Sequence, residues 1–167
     1  DFHPSPEGHS DELKPYHKTD EFGSTYFDVD HLVPYMRGGL KAWGHWLTTN
    51  ANYRGYRFDL TQRMEPWFIY EWMNYPGQRG KFAGLEYWRL ARPNETLEWL
   101  ELTGRRGAIW DWYLRDRLYY MCYTNTYNFD ISQLTNSLSW IEPTHAIAYC
   151  ENHDTFAPAK TGEEEIT

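Results

Sequence analysis

Three carboxylates in the 167-residue sequence are spaced so that each closes a predicted strand: Asp59, Glu86 and Asp154. Residues two apart on a strand point the same way, so Gly55, Arg57 and Asp59 share one face while Tyr56 and Phe58 face the other. Arg57 is thus expected beside Asp59, where a permanent cation holds a carboxylate ionised, as a nucleophile must be. Glu86 sits in Gly84-Leu85-Glu86-Tyr87-Trp88, among apolar rings. Desolvation there raises a carboxyl pKa and favours the protonated acid. Two carboxyl groups pushed in opposite directions are what glycoside hydrolysis uses. Taken singly, each carboxylate reads first as a helix cap or salt-bridge partner, since Asp and Glu are ordinary at strand–helix junctions.

The elements that would position these groups alternate between strand and helix. Tyr53–Leu60 reads as a strand, Pro66–Asn74 as a helix and Lys81–Tyr87 as a strand. A helix over Asn94–Leu102, capped by Asn94 and stopped by Gly104, precedes a strand over Ala108–Tyr113. Leu114–Asn128 is ambiguous, Ile131–Leu138 is a short helix, and His145–Cys150 is a fourth strand. Ahead of these, Leu32, Val33, Met36, Leu40, Trp43 and Leu47 mark an amphipathic helix with Asp30 as N-cap and Pro34 in its first turn, weakened by Gly38-Gly39. Parallel neighbours need a crossover, usually helical, so the expected class is α/β, with about four βα units. A closed eight-stranded barrel takes about 250 residues. The chain would therefore be part of such a (β/α)8 TIM barrel or a smaller open sheet. Residues 1–30 read as an irregular segment preceding the βα units of 31–167.

Composition narrows the partners. Sixteen basic residues against 24 acidic ones give a net charge of −8, which does not favour nucleic acid. No apolar run approaches the ~20 residues of a membrane-spanning helix. Aromatic residues make up 19% of the chain while mean hydropathy is low, so much of the apolar surface comes in rings with polar edges, which suit sugar faces as well as cores. Cys122 and Cys150 could form one bridge at most, and Asp1–Pro6 show neither a charged amino region nor an apolar stretch, so any secretion signal is expected to have been removed or never to have existed. An extracellular location is the expectation. His3, His9, Asp11, His17 and Asp20 match no compact zinc spacing and read as a solvated loop, like the acidic tail Glu163-Glu164-Glu165.

Gly55-Tyr56-Arg57-Phe58-Asp59, Gly84-Leu85-Glu86-Tyr87-Trp88 and Glu151-Asn152-His153-Asp154-Thr155 resemble, in order, the second, third and fourth conserved regions of the α-amylase family of glycoside hydrolases. Asp28-Val29-Asp30-His31 is similar to the segment where that family's inserted loop domain ends. The resemblance implies Asp59 as nucleophile, Glu86 as general acid and base, and Asp154 as stabiliser of the positively charged transition state. It further implies that Arg57 orients Asp59, that His153 hydrogen-bonds the sugar, and that Tyr87 and Trp88 stack on glucose rings. Calcium is the implied cofactor, with Asp28 and the backbone carbonyl of Arg63 among its ligands. The implied reaction is retaining cleavage of α-1,4-glucans such as starch, with a transglycosylase or a non-catalytic glucan-binding remnant as alternatives. After Asp59 the family commonly has a small residue, then Lys and His, where this chain has Leu60, Gln62 and Arg63. Nothing resembles the family's first conserved region, so the missing barrel strands would come from a longer parent chain or another chain.

Overall fold

The computed structural model describes residues 2–3, 28–29, 31–88, 93–123 and 129–154. Four strands form one parallel sheet in chain order: β3 (Gly55–Phe58), β4 (Phe82–Leu85), β5 (Ala108–Trp110) and β6 (Ala146–Ile147). Helices separate them, α2 (Pro66–Met73) after β3, α3 (Pro93–Leu102) after β4, and α4 (Trp112–Tyr123) with the short α5 (Leu138–Ile141) after β5. This is α/β architecture, consistent with consecutive βα units of a (β/α)8 barrel. Among the described residues no further strand pairs with the outer edge of β3 or β6. Within the segment read as irregular, β1 (Phe2–His3) and β2 (Asp28–Val29) pair antiparallel. His9, Asp11, His17, Asp20, Asp30 and the acidic tail lie outside the described residues.

Helix α1 spans Pro34–Thr49 with Val33 at its N-cap and Pro34 in the first turn. Asp30 is therefore not the cap: the residues after it form a turn, and the helix starts where proline's fixed φ suits the first position. The Gly38-Gly39 pair does not interrupt it, because the helix is held from outside. The Trp72 indole N–H donates to the Leu40 carbonyl at 2.9 Å and the Gln78 amide to that of Lys41 at 3.2 Å. Gly44 lets this happen, since a Cβ there would overlap the Trp72 indole. At the start of α1 the buried His31 contacts the Glu65 carboxylate and stacks on Phe68 at 4.1 Å. Both contacts pin the entry of α1 to α2.

The core lies between the sheet and helices α2 and α3, with Ile69, Met73, Leu85, Trp99, Leu100 and Ile109 almost wholly buried. Tyr56 and Phe58 meet the Trp72 ring edge-on at 4.7 and 5.1 Å, so the alternate residues of β3 do face the helical layer. Several boundaries differ from the sequence reading. Asn94 lies inside α3, not at its cap, because the helix already starts at Pro93, a residue preorganised for the first turn. The strand expected to reach Tyr113 ends at Trp110, since Asp111 turns the chain into α4; that helix accounts for Leu114–Tyr123 of the ambiguous segment, and residues 124–128 lie outside the described residues. The short helix expected over Ile131–Leu138 is a 3-10 helix over Ile131–Asn136, and α5 begins at Leu138. Gly104 stops α3 as expected: its φ is +61°, and a Cβ would overlap the Tyr70 ring.

Candidate active site

Parallel pairing sets Arg57 opposite Gly84 and Phe58 opposite Leu85, so Asp59 and Glu86 leave adjacent strands at the same level. Backbone bonds carry the pairing past the strand ends, Glu86 N–H donating to the Phe58 carbonyl at 3.0 Å and Thr61 N–H to the Glu86 carbonyl at 2.9 Å. Between them Leu60 adopts a left-handed conformation, φ 44° and ψ 48°, strained for a residue with a Cβ. That turn aims its N–H at Glu86 Oε2, 3.2 Å away. One guanidinium nitrogen, Arg57 Nη2, stands 2.8 Å from Asp59 Oδ1 and 2.8 Å from Glu86 Oε1. Those two oxygens are thus no further apart than twice that distance. The guanidinium also lies over the Trp110 ring, 5.1 Å from its centroid. Arg57 consequently bridges both carboxylates, where the sequence pointed only to Asp59.

The two carboxylates differ in their surroundings. The Asp59 side chain is 65% exposed and that of Glu86 2%. Burial pushes the Glu86 carboxyl up, and the neighbouring Asp59 adds to this; the Leu60 N–H and the Arg57 charge oppose it, and the net direction is upward. Rings wall the next two residues. Tyr87 is buried in the core, stacked on Trp99 at 4.6 Å, and its ring is not presented to solvent. Trp88 is half-buried over Trp112 at 3.9 Å, its backbone N–H held by Gln62 Oε1 at 3.2 Å.

Asp154 is supported differently. It lies in a turn seven residues beyond β6, where its N–H donates to Asn152 Oδ1 at 3.2 Å and its carboxylate stands 3.1 Å from the exposed His153 Nε2. Among the described residues no hydrogen bond or ion pair joins Asp154 to Asp59 or Glu86. The chain between nonetheless comes within electrostatic reach of Glu86. The Tyr149 hydroxyl is buried against Trp110 and Trp112, its pKa raised above the ordinary value by desolvation, and the charges acting on it include Arg115, Asp111, Glu151 and Glu86.

Two residues at this end escaped the sequence reading. Asp111, 2% exposed at the end of β5, accepts from Leu114 N–H at 3.0 Å and Ser139 N–H at 2.6 Å, so one carboxylate caps both α4 and α5. The signal was an Asp directly ahead of a helical run, obscured by extending the strand over it. Arg115, on the first turn of α4, reaches both Glu151 oxygens at 3.0 Å. The expected calcium ligands lie on β2 (Asp28) and on the 3-10 turn Thr61–Arg63, and no cluster of three or more His, Cys, Asp or Glu that could hold a metal occurs among the described residues. Calcium takes six to eight oxygens. Two donors do not by themselves fit that requirement. Cys122 and Cys150 are exposed and unbridged.

No protein-family model matches the chain. Among curated proteins it is 30% identical over 134 residues to an alpha-amylase of Geobacillus stearothermophilus, a match covering 78% of this chain and 24% of that protein. It is 26% identical over 135 residues to a glucan 1,4-alpha-maltohexaosidase of Bacillus sp. (strain 707), covering 78% of this chain and 26% of that protein. The chain thus spans about a quarter of the length of these relatives. Four parallel strands in chain order, with a carboxylate pair at the ends of two of them, accompany this partial likeness, and the curated homologues of the chain are members of the α-amylase family of glycoside hydrolases.

Proposed function

We propose that this chain carries the catalytic carboxylates of a retaining glycosidase acting on α-1,4-glucans. The single observation that carries the reading is the Asp59–Arg57–Glu86 cluster, one exposed carboxylate and one buried carboxyl of raised pKa sharing a guanidinium. In the proposed sequence the protonated Glu86 gives its proton to the glycosidic oxygen as that bond to the anomeric carbon breaks. Asp59 attacks the same carbon, forming a glycosyl ester, and Glu86 then takes a proton from the water that opens it. Retaining enzymes hold the two carboxyl groups about 5–5.5 Å apart; the Arg57 nitrogen shared at 2.8 Å by Asp59 Oδ1 and Glu86 Oε1 supports a pair close enough for that chemistry. Asp154 is assigned to the developing positive charge, His153 to the sugar hydroxyls, and Trp88 to stacking on a glucose ring. Tyr87, buried against Trp99, would act by packing beneath the site. Calcium belongs to this reading as a structural ion of a longer assembly, and no step passes through it.

The names of the relatives support a glucan as the partner. Transfer to a second sugar in place of water uses the same intermediate, and product analysis on maltooligosaccharides separates the two. The test is release of reducing ends from soluble starch by the full chain and by Asp59→Asn. Release that Asp59→Asn abolishes is the expected result. Starch binding without release, the same in both proteins, would instead identify a glucan-binding remnant.

A further inference from the structure

Asp154 has no strand register to place it, yet its position is specified by a continuous series of polar contacts. Arg115 Nη2 lies 3.0 Å from both Glu151 oxygens. Glu151 Oε1 accepts the Asn152 N–H at 3.0 Å, and Asn152 Oδ1 accepts the Asp154 N–H at 3.2 Å. The series begins on a rigid element: the Arg115 side chain is 11% exposed, the Arg115 backbone N–H donates to the Asp111 carbonyl at 3.1 Å, and the guanidinium lies 4.9 Å from the Tyr119 ring centroid. It ends on a turn whose Asp154 side chain is more open to solvent, 38% exposed.

We propose that Arg115 is a positioning residue for Asp154, fixing through Glu151 and the Asn152 turn where the Asp154 carboxylate stands. The catalytic consequence rests on the glycosidase reading; the positioning itself does not. A charge-assisted bond to a carboxylate is stronger than a neutral one, so a buried guanidinium can order a short exposed turn where sheet pairing no longer reaches. Arg115 and Glu151 are 36 residues apart in sequence, so the contact ties α4 across the sheet end to the loop after β6.

The experiment uses the full chain and compares Arg115→Met, which keeps an unbranched apolar stem over Tyr119, with Arg115→Lys, which keeps the charge. Amide hydrogen exchange at Asn152 and Asp154 should quicken about tenfold or more in Arg115→Met and largely recover in Arg115→Lys, with amides of α2 and β4 unchanged. On starch, kcat should fall in Arg115→Met with KM nearly constant. Should the core amides of Arg115→Met also quicken, Glu151→Gln gives the decisive reading, because it removes the charge at a half-exposed site. Unchanged exchange at Asn152 and Asp154 in that variant overturns the proposal. A wild-type chain that releases no sugar while these amides respond as expected leaves the positioning intact and removes the glycosidase reading alone.

Discussion

The carboxylates at the two ends of the sheet are placed by different means. Asp59 and Glu86 stand one step beyond neighbouring strands whose register is fixed by backbone pairing, and that pairing continues through Phe58, Glu86 and Thr61 past the strands themselves. Asp154 stands on a turn after a two-residue strand and depends on side chains, from Arg115 to Glu151 to Asn152. Register places chemistry with little help from side-chain identity, because every residue on the strand contributes. A loop is only as well placed as the few polar contacts that hold it. Substitutions around Asp154 should therefore loosen one carboxylate, whereas those around Glu86 should change the chemistry of a pair.

The largest effect that sharpens this contrast is expected at Glu86. Replacing it with Gln keeps its shape and the backbone bonds around it but removes the proton that the leaving oxygen needs, so starch hydrolysis should fall about 10²–10⁴-fold. Hydrolysis of a glycosyl fluoride, whose leaving group needs no proton, should fall far less. Equal losses on both substrates would show that Glu86 is not the acid.

Next in size is Asp111→Ala, which strips one cap from α4 and one from α5. Chemical denaturation should show a loss of about 2–4 kcal/mol. Because α4 carries Arg115, the exchange of the Asp154 amide should quicken as well, while that of Glu86 should not. A loss confined to the Asp59–Glu86 end would contradict the division of the site into two independently held regions.

A smaller effect concerns pH. The Glu86 carboxyl has its pKa raised on folding, so it contributes stability that is complete below the ordinary glutamate value of 4.5 and is lost as pH rises through its folded value. The difference in Tm between Glu86→Gln and the wild type should accordingly shift in favour of the Gln variant from pH 4 to pH 7. A difference independent of pH would mean that burial does not control this carboxyl. The smallest effect is expected for Leu60→Gly. Glycine relieves the left-handed φ of 44° but loses the contacts of a half-buried Leu and adds backbone freedom to the unfolded chain. The net change should stay within about 1 kcal/mol, with the Asp59–Glu86 pair preserved.

How much of this was legible in the sequence follows the same division. The alternation along β3 correctly put Tyr56 and Phe58 on the helical side and Arg57 beside Asp59, because period-two patterning reports directly on a sheet. Glu86 was read as the carboxyl of raised pKa from its apolar neighbours, and burial is indeed the largest cause. What was not legible is long-range. The strands are shorter than the patterns that announced them, since the residues just beyond Phe58, Leu85 and Trp110 resemble the strands in composition while the backbone has already turned. Arg57 as a bridge to Glu86 requires the β3–β4 register, which no local pattern contains. Arg115 and Glu151 look like ordinary surface charges until the fold brings α4 to the loop after β6.

The central claim is that Asp59 forms a covalent bond to sugar while Glu86 supplies and takes back the proton. The most direct measurement is mass spectrometry of peptides from the full chain after reaction with a 5-fluoro-maltosyl fluoride, whose fluorine slows release of the glycosyl ester. A glycosyl adduct on the peptide containing Asp59, lost in Asp59→Asn, is the result expected here. Sugar release that proceeds with no adduct on Asp59, or with an adduct on another carboxylate, would contradict the account.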